Sequence, residues 1–143
     1  MRIVVDSNEF VFALTRPSGN PSSAALQAIA ESAGTHVLLV SRFIVEEVRR
    51  HLHEADFRDF WSILLLAGVT PVEGWEIPGE VHAKYINKGL KPGDAAIAAL
   101  VEATGAEAVL TENRDFHEHA DLPFKVYRAA EFLKAVGTPP SNG

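Results

Sequence analysis

Three observations predict an α/β fold built on a mostly parallel sheet. Short apolar runs alternate with longer stretches of helical periodicity along the chain, the order that places helices on both faces of a parallel sheet. The 143 residues suit one domain around one core. Four acidic residues, Asp6, Glu47, Asp94 and Asp115, stand at or near the ends of these elements, where an open α/β sheet binds its ligands. The expected architecture is three-layered over residues 1–136, with a central sheet of about four or five strands flanked by helices. A disordered, Pro/Gly-rich tail is expected at 137–143.

Residues 3–6 read as a buried strand closed by Asp6. A short helix follows over 7–14, with Asp6 or Ser7 able to cap it. Residues 16–21, Arg-Pro-Ser-Gly-Asn-Pro, form a loop. Over 22–33, Ala25, Leu26, Ile29 and Ala30 fall on one helical face, and Gly34 ends the helix. Residues 37–40 are a second strand, and Ser41 suits the N-cap of a helix running to about His53. A further helix is expected over 56–66, ending near Gly68, and then a short strand over 69–72. Residues 78–87 read as a polar helix ended near Gly89. The Ala-rich stretch 92–104 is helical, with Pro92 in its first turn and Gly105 at its end. Strands at 108–110 and 124–127 and a helix over 129–136 complete the series.

Composition narrows the chemistry. The absence of cysteine excludes disulfide frameworks, thiolate zinc sites and cysteine nucleophiles. No uninterrupted apolar run is long enough to span a bilayer, so no membrane partner is expected. After Met1-Arg2 comes a short apolar strand rather than a signal peptide, and the cytoplasm is the expected compartment. A net charge of -6 argues against coating nucleic acid by charge alone. It leaves room for a nuclease, in which a metal supplies positive charge at the site.

Each acid also has a local explanation. Asp6 can cap the helix after its strand, and Asp94 complements a helix N-terminus. Glu46 and Glu47 before Arg49 and Arg50 suit a solvated helix face. Asp115 can make an Asx hydrogen bond in a turn. Their joint placement favours a site. Converged carboxylates repel and need protons or a cation among them, which points to a magnesium- or manganese-type centre and to phosphate chemistry. Other sites lack their parts. The six histidines show no third zinc ligand at fixed spacing, although His117 and His119 flank Glu118 in an expected loop. No Gly-x-Ser-x-Gly elbow and no P-loop occur, and Asn8 removes the second acid of an Asp-x-Asp phosphatase. Trp61, Trp75, Phe57 and Phe60 suit the core or a helix-packed interface better than base stacking.

Five segments in order carry a resemblance: Val4-Val5-Asp6-Ser7-Asn8; Ser41 to Glu47-Val48; Lys91-Pro92-Gly93-Asp94-Ala95; Thr111-Glu112-Asn113-Arg114-Asp115-Phe116; and Phe124 to Tyr127 with the helix after it. Together they resemble the PIN-domain ribonucleases, which include the VapC-type toxin halves of toxin–antitoxin pairs. The resemblance implies a PIN-like fold, one or two Mg²⁺ or Mn²⁺ ions held by carboxylates, and hydrolysis of RNA phosphodiesters. It implies catalytic roles for Asp6, Glu47, Asp94 and Asp115. Asp6, Asp94 and Asp115 are the implied metal ligands, direct or through water, and Glu47 an outer ligand or the group that orients the attacking water. Asn8, Ser41, Thr111 and Asn113 would aim the acids by hydrogen bonding. Arg114, Lys91 and Arg16 would contact RNA phosphates. Expected partners are RNA, an antitoxin protein and a second copy of the chain, for which the apolar helix at 57–66 offers a surface. Asn113 stands where many members carry a further acid, which leaves the fourth charge to Asp115. The competing expectations are an inactive PIN-fold module that holds RNA or protein, and a different metal-dependent phosphotransferase.

Overall fold

The computed structural model describes residues 1–32, 34–69, 77–119 and 121–137. The expected strand at 69–72 lies beyond Val69 outside the described residues, as do Trp75 and tail residues 138–143. Strand β1 (Arg2–Val5) leads into α1 (Ser7–Thr15) and α2 (Pro21–Ala30). Strand β2 (Val37–Leu39) precedes α3 (Arg42–His51), α4 (Glu54–Leu66), α5 (Gly79–Asn87) and α6 (Pro92–Thr104). Strand β3 (Ala108–Leu110), α7 (Arg114–His117), β4 (Lys125–Tyr127) and α8 (Ala129–Ala135) close the order. Among the described residues no helix is long and apolar enough to cross a membrane.

The four strands form one sheet in the order β2-β1-β3-β4, parallel throughout. Ile3 pairs with Leu38 on one side and with Ala108 on the other. From β1 the chain builds outward to β2, then returns to lay β3 and β4 on the opposite side. The order therefore reverses between β1 and β3, and a crevice opens at the carboxyl ends of those two strands. Asp6 follows one of them and Thr111 the other, and Asp6 N donates to Leu110 O at 2.9 Å across that point.

Two helical groups cover the sheet. Helices α1, α2, α3, α4 and α8 pack among themselves, while α5 packs on α6, which lies on β1 and β3. Ala95, Ala98 and Ala99 of α6 are fully buried, and their small side chains let the helix backbone approach the strands closely. Phe10 of α1 meets Phe60 of α4 edge to face at 4.9 Å, and Phe57 and Trp61 surround the same ring.

Local chemistry explains most boundaries. Asn20 caps α2 by accepting from Ser23 N at 2.9 Å, with Pro21 at the first helical position. Helix α4 begins at Glu54, earlier than expected, because Glu54 and Asp56 complement the positive end of its dipole. Gly105 ends α6 at φ 68°, a left-handed position that suits glycine. One element departs from expectation. The segment 114–117, where no element is expected and Asp115 reads as a turn residue, is a short helical turn capped by Asn113, whose side-chain oxygen accepts from Asp115 N at 3.0 Å. Four residues are too few to show helical periodicity, so only the cap could have announced it.

Candidate functional site

Asp6 occupies the N-cap of α1 with extended backbone, so its carboxylate turns back over the end of β1. One oxygen accepts from Ser7 N at 2.7 Å and the other from the Thr111 hydroxyl at 2.7 Å. The side chain is nearly buried. Burial lifts its pKa above the ordinary carboxylate value against the pull of those hydrogen bonds, and the charge of Glu47 adds to the lift.

Asp94 projects from the first turn of α6, started by Pro92, and is also buried. Its carboxylate accepts from Asn113 Nδ2 at 2.7 Å. Burial raises its pKa first, then repulsion from Asp6 and Asp115. Asn113 N in turn donates to the Thr111 hydroxyl oxygen at 3.0 Å. A chain of hydrogen bonds thus runs from Asp6 through Thr111 and Asn113 to Asp94, joining two acids 88 positions apart (94 − 6). Asn113 suits this place because an amide donates where a carboxylate would repel.

The two acids open into a cleft of about 570 Å³. Asn8, Glu47 and Asn113 line it beside them, with Val11, Phe12, Phe43, Ile44 and Ile97 as apolar walls and the Arg50 guanidinium and the His51 ring at its edge. Glu47 is half-exposed on α3 and pairs with Arg50 at 2.8 Å, with the His51 ring at 3.7 Å. Asn8 Oδ1 accepts from Glu112 N at 3.4 Å.

Asp115 is placed differently from the other three acids. It does not line the cleft, and its carboxylate pairs with Lys91 Nζ at 2.8 Å. That ammonium holds its pKa below the ordinary value, and the pKa of Lys91 rises correspondingly. Among the described residues no three His, Asp or Glu side chains form a ready-made metal cage, so the expected trio of Asp6, Asp94 and Asp115 is not arranged as one. Asp115 has Lys91 as its counterion instead. The donor set nonetheless fits a hard divalent ion that keeps several waters: two buried, mutually repelling carboxylates with Glu47 and two side-chain amides nearby.

The remaining expected residues have other engagements. Ser41 is buried and caps α3 by accepting from Ile44 N at 3.4 Å, rather than aiming an acid. Arg114 is exposed and pairs with Glu118 at 3.2 Å. The guanidinium of Arg16 lies 3.6 Å from the centroid of the Phe12 ring.

Sequence reasoning missed a second acid pair. Glu9 is fully buried, its Oε1 accepting from the Ser22 hydroxyl at 2.7 Å and its Oε2 having no hydrogen-bond partner as a carboxylate. Burial first, and then the neighbouring Glu112, push its carboxyl up to about 9, so it stays protonated at neutral pH. Glu112 also accepts from Ala129 N, the first residue of α8, at 2.8 Å. The pair thereby ties α1 to α2 and to the start of α8. In sequence Glu9 reads as a first-turn acid, and its place one residue before buried Phe10 is the only hint of burial.

The sequence matches the PIN domain family over residues 3–122. No curated protein matches it. Among solved structures, the chain is similar to VapBC2 from Rickettsia felis bound to a DNA fragment from their promoter, at 17% identity and a TM-score of 0.60, with 89% of this chain and 99% of that one covered. It is similar also to FitAcB from Neisseria gonorrhoeae, at 22% identity and a TM-score of 0.60, covering 90% of this chain and 98% of that one. Both likenesses agree on the fold.

Proposed function

Because the chain belongs to the PIN domain family, we propose that it is a Mg²⁺- or Mn²⁺-dependent endoribonuclease that hydrolyses RNA phosphodiesters, held in check by an antitoxin protein. The observation that carries this reading is the pair of buried acids, Asp6 and Asp94, linked through Thr111 and Asn113 at the reversal point of the sheet. Buried carboxylates without a compensating cation are costly, and nothing in the packing requires two of them side by side.

Asp6 and Asp94 would hold the ion, with Glu47 and Asp115 acting through water. A bound divalent ion supplies charge neutralisation at the phosphodiester and a more acidic water. The chain's own residues do the rest. Thr111 and Asn113 fix the direction of the two carboxylates, so their charge points into the cleft without reorganisation. Glu47, on the facing helix, orients the attacking water. Arg16, Lys91 and Arg114 steer the phosphate backbone, which offsets the acidity of the surface.

Support for a protein partner comes from the likeness to VapBC2, seen bound to a DNA fragment from their promoter, and from the resemblance to VapC-type toxins. A second copy is the other proposed partner. Leu65 and Leu66 of α4 remain 74% and 77% exposed, apolar surface for a second copy to cover. A solution mass equal to one chain at high concentration would count against a dimer.

Calorimetric titration of Mn²⁺ into the protein and into Asp94→Asn tests the main reading, alongside cleavage of mixed RNA. Binding and cleavage that the variant loses are the expected outcome. Binding without cleavage of any RNA would favour the inactive binding module, and cleavage that survives Asp94→Asn would remove these acids from the mechanism.

A further inference from the structure

Glu112 sits between Thr111 and Asn113, the two residues that aim Asp6 and Asp94, yet it does not itself line the cleft. It is held at three points. Its backbone N–H donates to Asn8 Oδ1 at 3.4 Å, and its Oε2 accepts from Ala129 N at 2.8 Å. The third point is the carboxyl of Glu9. Glu9 is fully buried in α1, and the Ser22 hydroxyl donates to its Oε1 at 2.7 Å. Its Oε2 is just as buried and has no donor to accept from. Such an oxygen is costly as a bare carboxylate and is satisfied as the O–H of a carboxylic acid. Burial favours that neutral form first, and the two charged groups that act on Glu9, Glu112 and Asp6, are both acids and favour it further. The Glu112 carboxylate is then the acceptor beside the O–H. An apolar side chain would pack at this place without any desolvated polar atom, so a buried acid here needs a use.

We infer that Glu9 is a positioning residue: its carboxyl donates a hydrogen bond to Glu112 and so holds the Thr111–Asn113 segment where it points Asp6 and Asp94 into the cleft. This deepens the reading of the cleft as a metal site and rests on it. The Thr111 hydroxyl and the Asn113 amide each reach their acid at 2.7 Å, and hydrogen bonds of that kind weaken steeply when the donor shifts or tilts. Both donors leave the same short segment, on either side of Glu112, so whatever fixes Glu112 fixes the aim of both acids. Glu9 touches neither ion nor substrate on this account and acts only through Glu112.

Two variants test it. Glu9→Gln keeps an oxygen for Ser22 and an N–H for Glu112, whereas Glu9→Met keeps the length and loses both. The first readout is amide hydrogen exchange in EDTA at Asn113 N–H and Ala129 N–H, with the amides of β1 as the measure of the whole fold. Relative to β1, both amides should exchange roughly tenfold or more faster in Glu9→Met, as loss of a buried hydrogen bond requires, and Glu9→Gln should restore their protection. The second readout is calorimetric titration of Mn²⁺, which Glu9→Met should bind roughly tenfold more weakly and Glu9→Gln about as well as the wild type. Unchanged protection in Glu9→Met, a loss shared equally by the β1 amides, or a glutamine that fails to rescue overturns the positioning role. A wild type that takes no Mn²⁺, with both amides loosened in Glu9→Met, would keep the positioning role and remove the metal reading. Mn²⁺ binding that neither variant alters would keep the metal reading and overturn the role of Glu9.

Discussion

Asn113 carries the greatest number of roles of any single residue in the site. Its amide nitrogen holds Asp94, its side-chain oxygen caps α7, and its backbone N–H sets the Thr111 hydroxyl against Asp6. Glu9 is the second residue on which much depends. Its carboxyl titrates at about 9 in the fold against an ordinary 4.5, so between those values the folded chain holds a proton that the unfolded chain has lost. Stability must then fall as pH rises through that window, by up to about 1.4 kcal/mol per pH unit. Thermal unfolding between about pH 5 and pH 8 is expected to show this decline, and Glu9→Gln, which keeps shape and a donor, to flatten it. Parallel curves for the two proteins would mean that Glu9 is ionised in the fold. Residue-level features differed in how far the sequence disclosed them. Asp6 and Asp94 were legible because a strand end and a Pro-Gly helix start announce them. Glu9 was not, since a first-turn acid looks the same whether it faces water or the core. Nor was the pairing of Asp115 with Lys91, which depends on two side chains 24 positions apart (115 − 91).

At the scale of elements, strong periodicity and capping residues made α2, α3, α6 and the four strands among the described residues readable, with boundaries shifted by a few residues at most. Helix α7 escaped because it is a single turn held by one cap. The contact between α1 and α4 could not be read at all, as it depends on how two distant helices cross. Phe60 is its centre, fully buried and packed against Phe10, Phe57 and Trp61. Phe60→Ala should cost about 3–5 kcal/mol of stability in denaturant unfolding, by lost burial and the cavity left behind. A loss below about 1 kcal/mol would show that α4 collapses onto α1 without it. Because α1 carries Asp6 at its cap, a loosened α1–α4 contact should also weaken Mn²⁺ binding, which a leucine at position 60 would partly restore.

For the molecule as a whole, the site is a local concession within a well-packed fold. Burial and repulsion raise the pKa values of Asp6 and Asp94. For such groups stability is highest below the ordinary carboxylate range and lower at neutral pH, where the unfolded chain ionises more freely. Asp94→Asn should therefore be at least as stable as the wild type in EDTA. With Mn²⁺ at a hundred times its Kd, the wild type should gain about 2.7 kcal/mol and the variant should gain little. Thermal unfolding of both proteins with and without the ion decides this. An equal gain in both would place the ion somewhere other than this cleft.

The pairing of Lys91 with Asp115 has a consequence for supply. An ammonium fastened to the same chain is a tethered counterion, present at a constant local concentration whatever the surroundings hold. Free divalent ions must compete with it for the charge of Asp115. On the reading proposed above, the chain would stay quiescent when such ions are scarce and load only past a threshold that the lysine sets. Replacing the ammonium by an uncharged chain of similar length, Lys91→Met, should move that threshold down, seen as tighter Mn²⁺ binding in the titration. An unchanged affinity would mean that the lysine is a bystander and that the chain responds to scarcity only through Asp6 and Asp94.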